Sequence, residues 1–231
     1  MNIFDWHKKF EGSVEWKMTT NGLLVRNPNP VTNGSMDLAF YERTRGEPVT
    51  VSRIWHNYSD IIEKWSREYL VPADLIVAII AGEDSKAYYD IRQEPGFVSD
   101  EKTPNKVSAG IMQTLLSTAK ESLLKRGVTG GTVTRKWLFV PENSIQAGVS
   151  YMDDQRKKSL FDPILVAASY NAGGVYANSS TQNRFRIKCY PIGTSRYLDR
   201  FVMYLNDFYA LMNSGEIIPP SLTLMYKKEK T

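Results

Sequence analysis

The chain has 231 residues, 42% hydrophobic and 23% charged, enough apolar material for one sizeable core and too much for general disorder. A single cysteine, Cys189, excludes an intrachain disulfide framework, and the longest apolar run, residues 75–81, is too short to cross a bilayer as a helix. The formal charge of +4 is scattered apart from short groups such as Arg156-Lys157-Lys158 and residues 227–230; solvated faces account for it, and no nucleic-acid motif accompanies it.

The first eleven residues, M-N-I-F-D-W-H-K-K-F-E, carry charges where a secretory signal needs an apolar stretch. No export signal and no integral membrane segment are therefore expected, and a target outside the cytoplasm implies delivery by a channel, a puncturing particle or lysis. Residues 18–50 are dense in turn formers (N-G, N-P-N-P, N-G, R-G-E-P), which predicts an irregular extension over 1–51 with a short strand at 21–26. A helix follows from about 52–56 to Leu70, with Ile54, Tyr58, Ile61, Ile62 and Trp65 as its apolar stripe. Pro72 suits the first turn of a second helix whose residues 73–81 read as buried, and Ile76, Ile79 and Glu83 share one side of it. Residues 84–107 read as a polar surface excursion. Helix is expected again from Ala109 to Arg126, from Pro141 to about Lys157, over 163–172 behind an Asp162-Pro163 cap, and from about 195 to 212. That last helix packs through Tyr197, Leu198, Phe201, Leu205 and Phe208. Between them, 132–140 could supply a short strand. The expected fold class is mainly α, with a domain at 52–213, an N-terminal extension at 1–51 and a tail at 214–231.

Glu83 closes the run A-I-I-A-G-E and so sits at the edge of an apolar surface. A helix-end ion pair is the ordinary explanation of such a residue. Three further segments set it apart: S-A-G-I-M-Q at 108–113, N-S-I-Q-A-G-V-S-Y-M at 143–152 and A-A-S-Y-N-A-G-G at 167–174. Gln113, Tyr151, Tyr170, Asn171 and Asn143 would supply hydrogen bonds and a sugar-stacking face if their helices converge. Taken singly, Asn143 is explained equally well as a cap, and the tyrosines as core residues. A carboxyl buried against Ile76, Ile79 and aromatic neighbours has its pKa raised and can protonate a leaving oxygen near neutral pH, which glycosidic bonds require because a sugar alkoxide leaves poorly. Candidates for a second acid are Asp84, Asp90 and Glu94, although Asp84 on a helix points roughly 100° away from Glu83. His7, His56 and Cys189 form no ligand cluster in sequence, so neither metal nor other cofactor is expected.

In order and spacing these segments resemble the soluble-type lytic transglycosylases, a lysozyme-like superfamily related to goose-type lysozyme. The family pattern runs Glu-Ser after an apolar helix, G-L-M-Q, N-I-x-x-G-x-x-Y-L, A-Y-N-x-G and a Tyr in the closing helix. Glu83, Gly110 to Gln113, Asn143 to Met152 (with one extra residue after the asparagine), Ser169 to Gly173 and Tyr197 match it in turn, over about residues 72–205. The chain departs from the pattern at Asp84, where Ser is usual, and at Gly193, where Glu often precedes the closing Tyr. The resemblance implies a lysozyme-like transglycosylase fold and cleavage of the β-1,4 bond between N-acetylmuramic acid and N-acetylglucosamine, with a 1,6-anhydromuramic acid product. Glu83 would be acid and then base, Met112 and Gln113 the cleft wall and Tyr197 an orienter of Glu83. Tyr170 and Asn171 would contact sugar or acid, and Tyr151 would be a further substrate-facing or orienting group. The implied partner is the glycan strand of peptidoglycan. With no export signal expected, the resemblance points to a bacteriophage or prophage lysin, a virion-associated enzyme or an injected effector. Goose-type hydrolysis of the same bond and a noncatalytic wall-binding or virion structural role are the alternatives.

Overall fold

The computed structural model describes residues 16–26, 39–83, 96–106, 108–174 and 196–225. Its elements are β1 (Trp16–Thr19), β2 (Gly22–Arg26), β3 (Ala39–Phe40), α1 (Val49–Tyr69), α2 (Ala73–Glu83), β4 (Ser108–Ala109), β5 (Thr114–Leu115), α3 (Leu116–Leu124), α4 (Arg135–Leu138), α5 (Pro141–Asp154), α6 (Arg156–Ser159), α7 (Pro163–Ala172) and α8 (Arg196–Ser214). None of the helices in the described residues is long and apolar enough to cross a membrane.

The sequence of α2, A-D-L-I-V-A-I-I-A-G-E, has no polar face, and every residue from Ala73 to Gly82 is buried. A helix apolar all round has to lie inside a core. Here it is wrapped by α1, α7 and α8, which contribute Ile54 and Ile62, Ile164 and Ala168, and Leu198, Phe201 and Leu205. Such a helix leaves its terminal backbone groups without water, and the amino end of α2 is met by the C-terminal segment. The Ala73 N–H donates to the Leu222 carbonyl at 2.9 Å. The buried Asp74 carboxylate accepts from the Leu75 N–H at 3.0 Å, the Tyr209 hydroxyl at 2.6 Å and the Leu224 N–H at 3.0 Å, a placement that the positive end of the helix dipole also favours.

The N-terminal strands are antiparallel in the order β1-β2-β3, and Trp16, Met18, Leu23 and Val25 are part of the same core as α2. Two buried polar residues fasten them. Asn206 of α8 accepts from the Leu23 N–H at 2.6 Å and donates to the Leu23 and Glu42 carbonyls at 3.0 and 2.8 Å, acting as a strand partner made of one side chain. Asp162, the N-cap of α7, accepts from the Leu165 N–H at 3.0 Å and from the Trp16 indole at 2.9 Å.

Residues 108–140 differ from expectation in two places. The helix expected from Ala109 starts at Leu116, because Gly110 (φ +74°) and Gln113 (φ +46°) take left-handed conformations that a right-handed helix cannot contain. They turn a short β4–β5 hairpin instead. The strand considered at 132–140 is replaced by α4, whose N-cap Thr134 accepts from the Trp137 N–H at 3.1 Å. Leu116, Leu123, Val133 and Leu138 form a second, smaller core with Ala147 of α5, while Ile145, Val149 and Met152 of the same helix face the main core. α5 is therefore the shared wall between the two.

Burial pushes the carboxyls of Asp74 and Asp162 up to about 6, with their hydrogen bonds pulling the other way. A carboxyl whose folded pKa lies above its unfolded value contributes stability that is complete below about pH 4 and lost as pH rises through about 6. Relative to Asp162→Asn, the wild-type chain should therefore lose on the order of 3 kcal/mol between those limits. Thermal unfolding of both proteins across pH 4 to 7 checks this, and a pH-independent difference would contradict it.

Candidate active site

Glu83 is the last residue of α2 and is half-buried, so the buried helix carries one carboxylate to the edge of the core. Tyr197, in the first turn of α8, comes from the side. Its ring packs on Gly82, where an added Cβ would lie 3.6 Å from Cε2 and 3.9 Å from the hydroxyl oxygen. One turn later on α8, Arg200 donates to the Gly82 carbonyl at 3.3 Å, partnering one of the carbonyls at the end of α2. Burial, followed by the neighbouring Glu83 carboxylate, pushes the Tyr197 phenol well above its ordinary pKa, with Arg200 opposing. The Glu83 carboxylate acts on the hydroxyl both as a nearby charge and as a hydrogen-bond acceptor that favours the protonated phenol, in a contact looser than standard hydrogen-bond geometry.

The hairpin tip, Gly110 to Gln113, joins this region through Tyr170. A Cβ on Gly110 would fall 2.1 Å from the Leu138 carbonyl oxygen and 2.4 Å from Ser144 Oγ, so both its left-handed φ and its surroundings demand glycine. The Gly110 carbonyl accepts from the Gln113 backbone N–H at 3.0 Å and from the Gln113 side-chain amide at 2.9 Å. Met112 is fully buried. Its thioether lies against Gly148 of α5, where a Cβ would be 2.4 Å from Sδ and 2.8 Å from the Tyr170 hydroxyl. Gly148 is thus the gap that lets Met112 and Tyr170 sit together.

Tyr170 of α7 donates to the Met112 carbonyl at 2.8 Å and lies 3.2 Å from Thr114 Oγ1. A phenol has one proton. Spent on Met112, it leaves Tyr170 to accept from Thr114, with no donor for the carboxylate that stands near it. Burial first, and Glu83 second, raise the Tyr170 pKa. Tyr151 supports the ring edge-on at 5.6 Å between centroids, and its own hydroxyl points to the Ser169 carbonyl at 3.4 Å.

The structure therefore brings Glu83, Tyr170 and Tyr197 together, with Gln113 and Met112 on the hairpin joined to them through Tyr170. Met112 acts from beneath, through its carbonyl and its bulk, and not as an exposed wall. Asn171 is exposed at the end of α7. Asp84, Asp90 and Glu94 lie outside the described residues. Asn143 is directed away, donating to the Trp137 carbonyl at 3.0 Å. Among the described residues no group of three or more His, Cys, Asp or Glu is placed to hold a metal ion. Sequence reasoning passed over Thr114, Ser144 and Arg200. Of these, Arg200 alone left a signal, one turn after Tyr197 on a helix already read as closing the site.

A family model, the transglycosylase SLT domain, matches residues 60–188. The chain belongs to this family. The matched segment holds Glu83, the hairpin, α5 and α7, while Tyr197 lies beyond it. Relatives described as membrane-bound lytic murein transglycosylase C, from Yersinia pestis and Yersinia pseudotuberculosis, are 30% identical over 129 residues, or 56% of this chain and 33% of theirs. The chain thus matches about a third of the length of those relatives. The lytic transglycosylase Slt of Pseudomonas aeruginosa, solved as an inactive glutamate-to-glutamine mutant, superposes with a TM-score of 0.51 at 18% identity, covering 74% of this chain and 26% of that one. The fold is accordingly the mainly helical, lysozyme-like fold of the transglycosylases.

The two phenols should respond differently to loss of their hydroxyls. Tyr170→Phe strands the buried Met112 carbonyl, at about 1 to 3 kcal/mol, and should lower the melting temperature by several degrees. Tyr197→Phe removes no hydrogen bond of standard geometry and should leave it within about 1 °C or raise it. Calorimetry on both variants checks the order, and a larger loss for Tyr197→Phe would contradict the assignment.

Proposed function

We propose that this chain cleaves the β-1,4 bond between N-acetylmuramic acid and N-acetylglucosamine in peptidoglycan and leaves a 1,6-anhydromuramic acid end. The observation that carries this is Glu83 itself: a carboxyl delivered by a buried helix to the neighbourhood of two phenols, Tyr170 and Tyr197, in a chain of the SLT family. The similarity to the Yersinia proteins named as lytic murein transglycosylases supports it. The catalytic unit is residues 52–213, braced by the strands of residues 16–26 and by the tail at Leu222 to Leu224. The glycan strand of the wall is its partner.

Glu83 donates its proton to the departing O4 of the bond. The N-acetyl group of the muramyl residue stabilises the developing positive charge at C1. The C6 hydroxyl of the same sugar then attacks C1 and gives its proton to the Glu83 carboxylate, restoring the acid, so no water is consumed. Tyr197, whose proton is not committed to another described residue, orients the carboxylate by donating to it, and Tyr170 holds the hairpin that faces it. Gln113 and Asn171, both at the surface of this region, contact the sugar, and Tyr151 backs Tyr170.

Glu83→Gln keeps shape and loses proton transfer. It should release soluble wall fragments from purified peptidoglycan about 10² to 10⁴ times more slowly while melting close to the wild-type temperature. Near-full activity in the folded variant would remove Glu83 from its role.

A further inference from the structure

The hairpin tip depends on a conformation the chain does not adopt freely. Gln113 is a non-glycine residue at φ +46°, a region that persists only where surrounding contacts over-determine it. The residue before it, Met112, is held at both ends of its main chain. Its carbonyl accepts from Tyr170 of α7 at 2.8 Å, and its N–H donates to Ser144 Oγ of α5 at 3.1 Å. Ser144 is fully buried in the first turns of α5, and its Oγ and Cβ lie where a side chain on Gly110 would have to go, 2.4 and 2.8 Å from an added Cβ. Only a small side chain with an acceptor fits between Gly110 and the Met112 amide. Asn143, one residue earlier, is engaged with the Trp137 carbonyl instead.

We propose that Ser144 is a positioning residue of the site, acting through the Met112 peptide and Tyr170 on the surroundings of Glu83 without touching substrate. The inference rests on the functional reading above. With the Met112 N–H fixed by Ser144, the carbonyl on the other side of that residue stays aimed at Tyr170, the phenol proton stays committed to it, and Gln113 is held in its left-handed turn at the cleft. Without Ser144 Oγ the buried amide loses its acceptor, and the hairpin must shift to find another.

The test compares wild type with Ser144→Ala and with Ser144→Cys, which keeps the size and offers a weaker acceptor. On soluble wall fragments, at a temperature where each protein is fully folded, Ser144→Ala should lose roughly tenfold or more in kcat, with KM rising as well because Gln113 is carried on the shifted hairpin. Ser144→Cys should fall between. The loss should be less than additive with Tyr170→Phe, because both act on one residue's main chain. Amide exchange supplies a readout that needs no activity: the Met112 N–H should exchange faster in Ser144→Ala while the amides of α2 keep their protection. Wild-type kcat in folded Ser144→Ala, or a loss that only follows its unfolded fraction, overturns the proposal. If Ser144→Ala does not fold, wild-type kcat in folded Ser144→Cys overturns it. Failure of the wild-type chain to cut the wall would instead sink the functional reading, and the Met112 exchange would still decide whether Ser144 holds the hairpin.

Discussion

The main core of the described residues is arranged around a helix that cannot face water. From Ala73 to Gly82, α2 offers no polar side except Asp74, so the rest of the chain must enclose it and also satisfy its ends. The amino end is closed by Leu222 to Leu224 and Tyr209, with Asp74 as the shared acceptor. At the carboxyl end Arg200 meets the Gly82 carbonyl and Tyr197 lies on Gly82. An enclosed rod about 16 Å long that ends in Glu83 presents a carboxyl at a place determined by the whole core. Under the proposed function this would make Glu83 a preorganised acid, held in place by folding before substrate arrives.

The same logic extends to the surrounding phenols. Tyr197 is buried and Tyr170 half-buried near one carboxylate, and in both Glu83 adds to desolvation in holding the phenol proton. They divide the work by where that proton goes. Tyr170 gives it to Met112 and so ties α7 to the hairpin, whereas Tyr197 keeps it beside Glu83. Two glycines make this geometry possible, Gly110 by its φ and Gly148 by the absence of a Cβ in the path of Met112.

Much of this was legible in the sequence, and unevenly so. The burial of residues 73–81, the edge position of Glu83, the cap and first turn at Asp162-Pro163 and the closing helix follow from apolar periodicity and from Pro and Asp at helix starts, which are local signals. The hairpin was not legible. Its residues, A-G-I-M-Q-T-L, suit the end of a helix until Leu138, Ser144 and Tyr170 arrive from later in the chain, and the left-handed turn at Gln113 is enforced by those tertiary contacts alone. Asn143 was singled out where Ser144 makes the contact, because polarity in sequence does not say which of two adjacent helical residues faces a neighbour; a step of one residue rotates the side chain by about 100°. The N-terminal segment looked irregular since its order comes from long-range partners, Asn206 and Asp162, and not from its own turn-rich composition.

The central claim is that one carboxyl serves twice, as acid and then as base toward the sugar's own C6 hydroxyl, with no water entering the reaction. The most direct test is the mass of the glycan ends released from purified peptidoglycan by the wild-type chain. The account predicts muropeptides ending in 1,6-anhydro-N-acetylmuramic acid, one water lighter than the corresponding reducing ends. Products dominated by reducing ends would contradict it and would show that a second group positions water at the site.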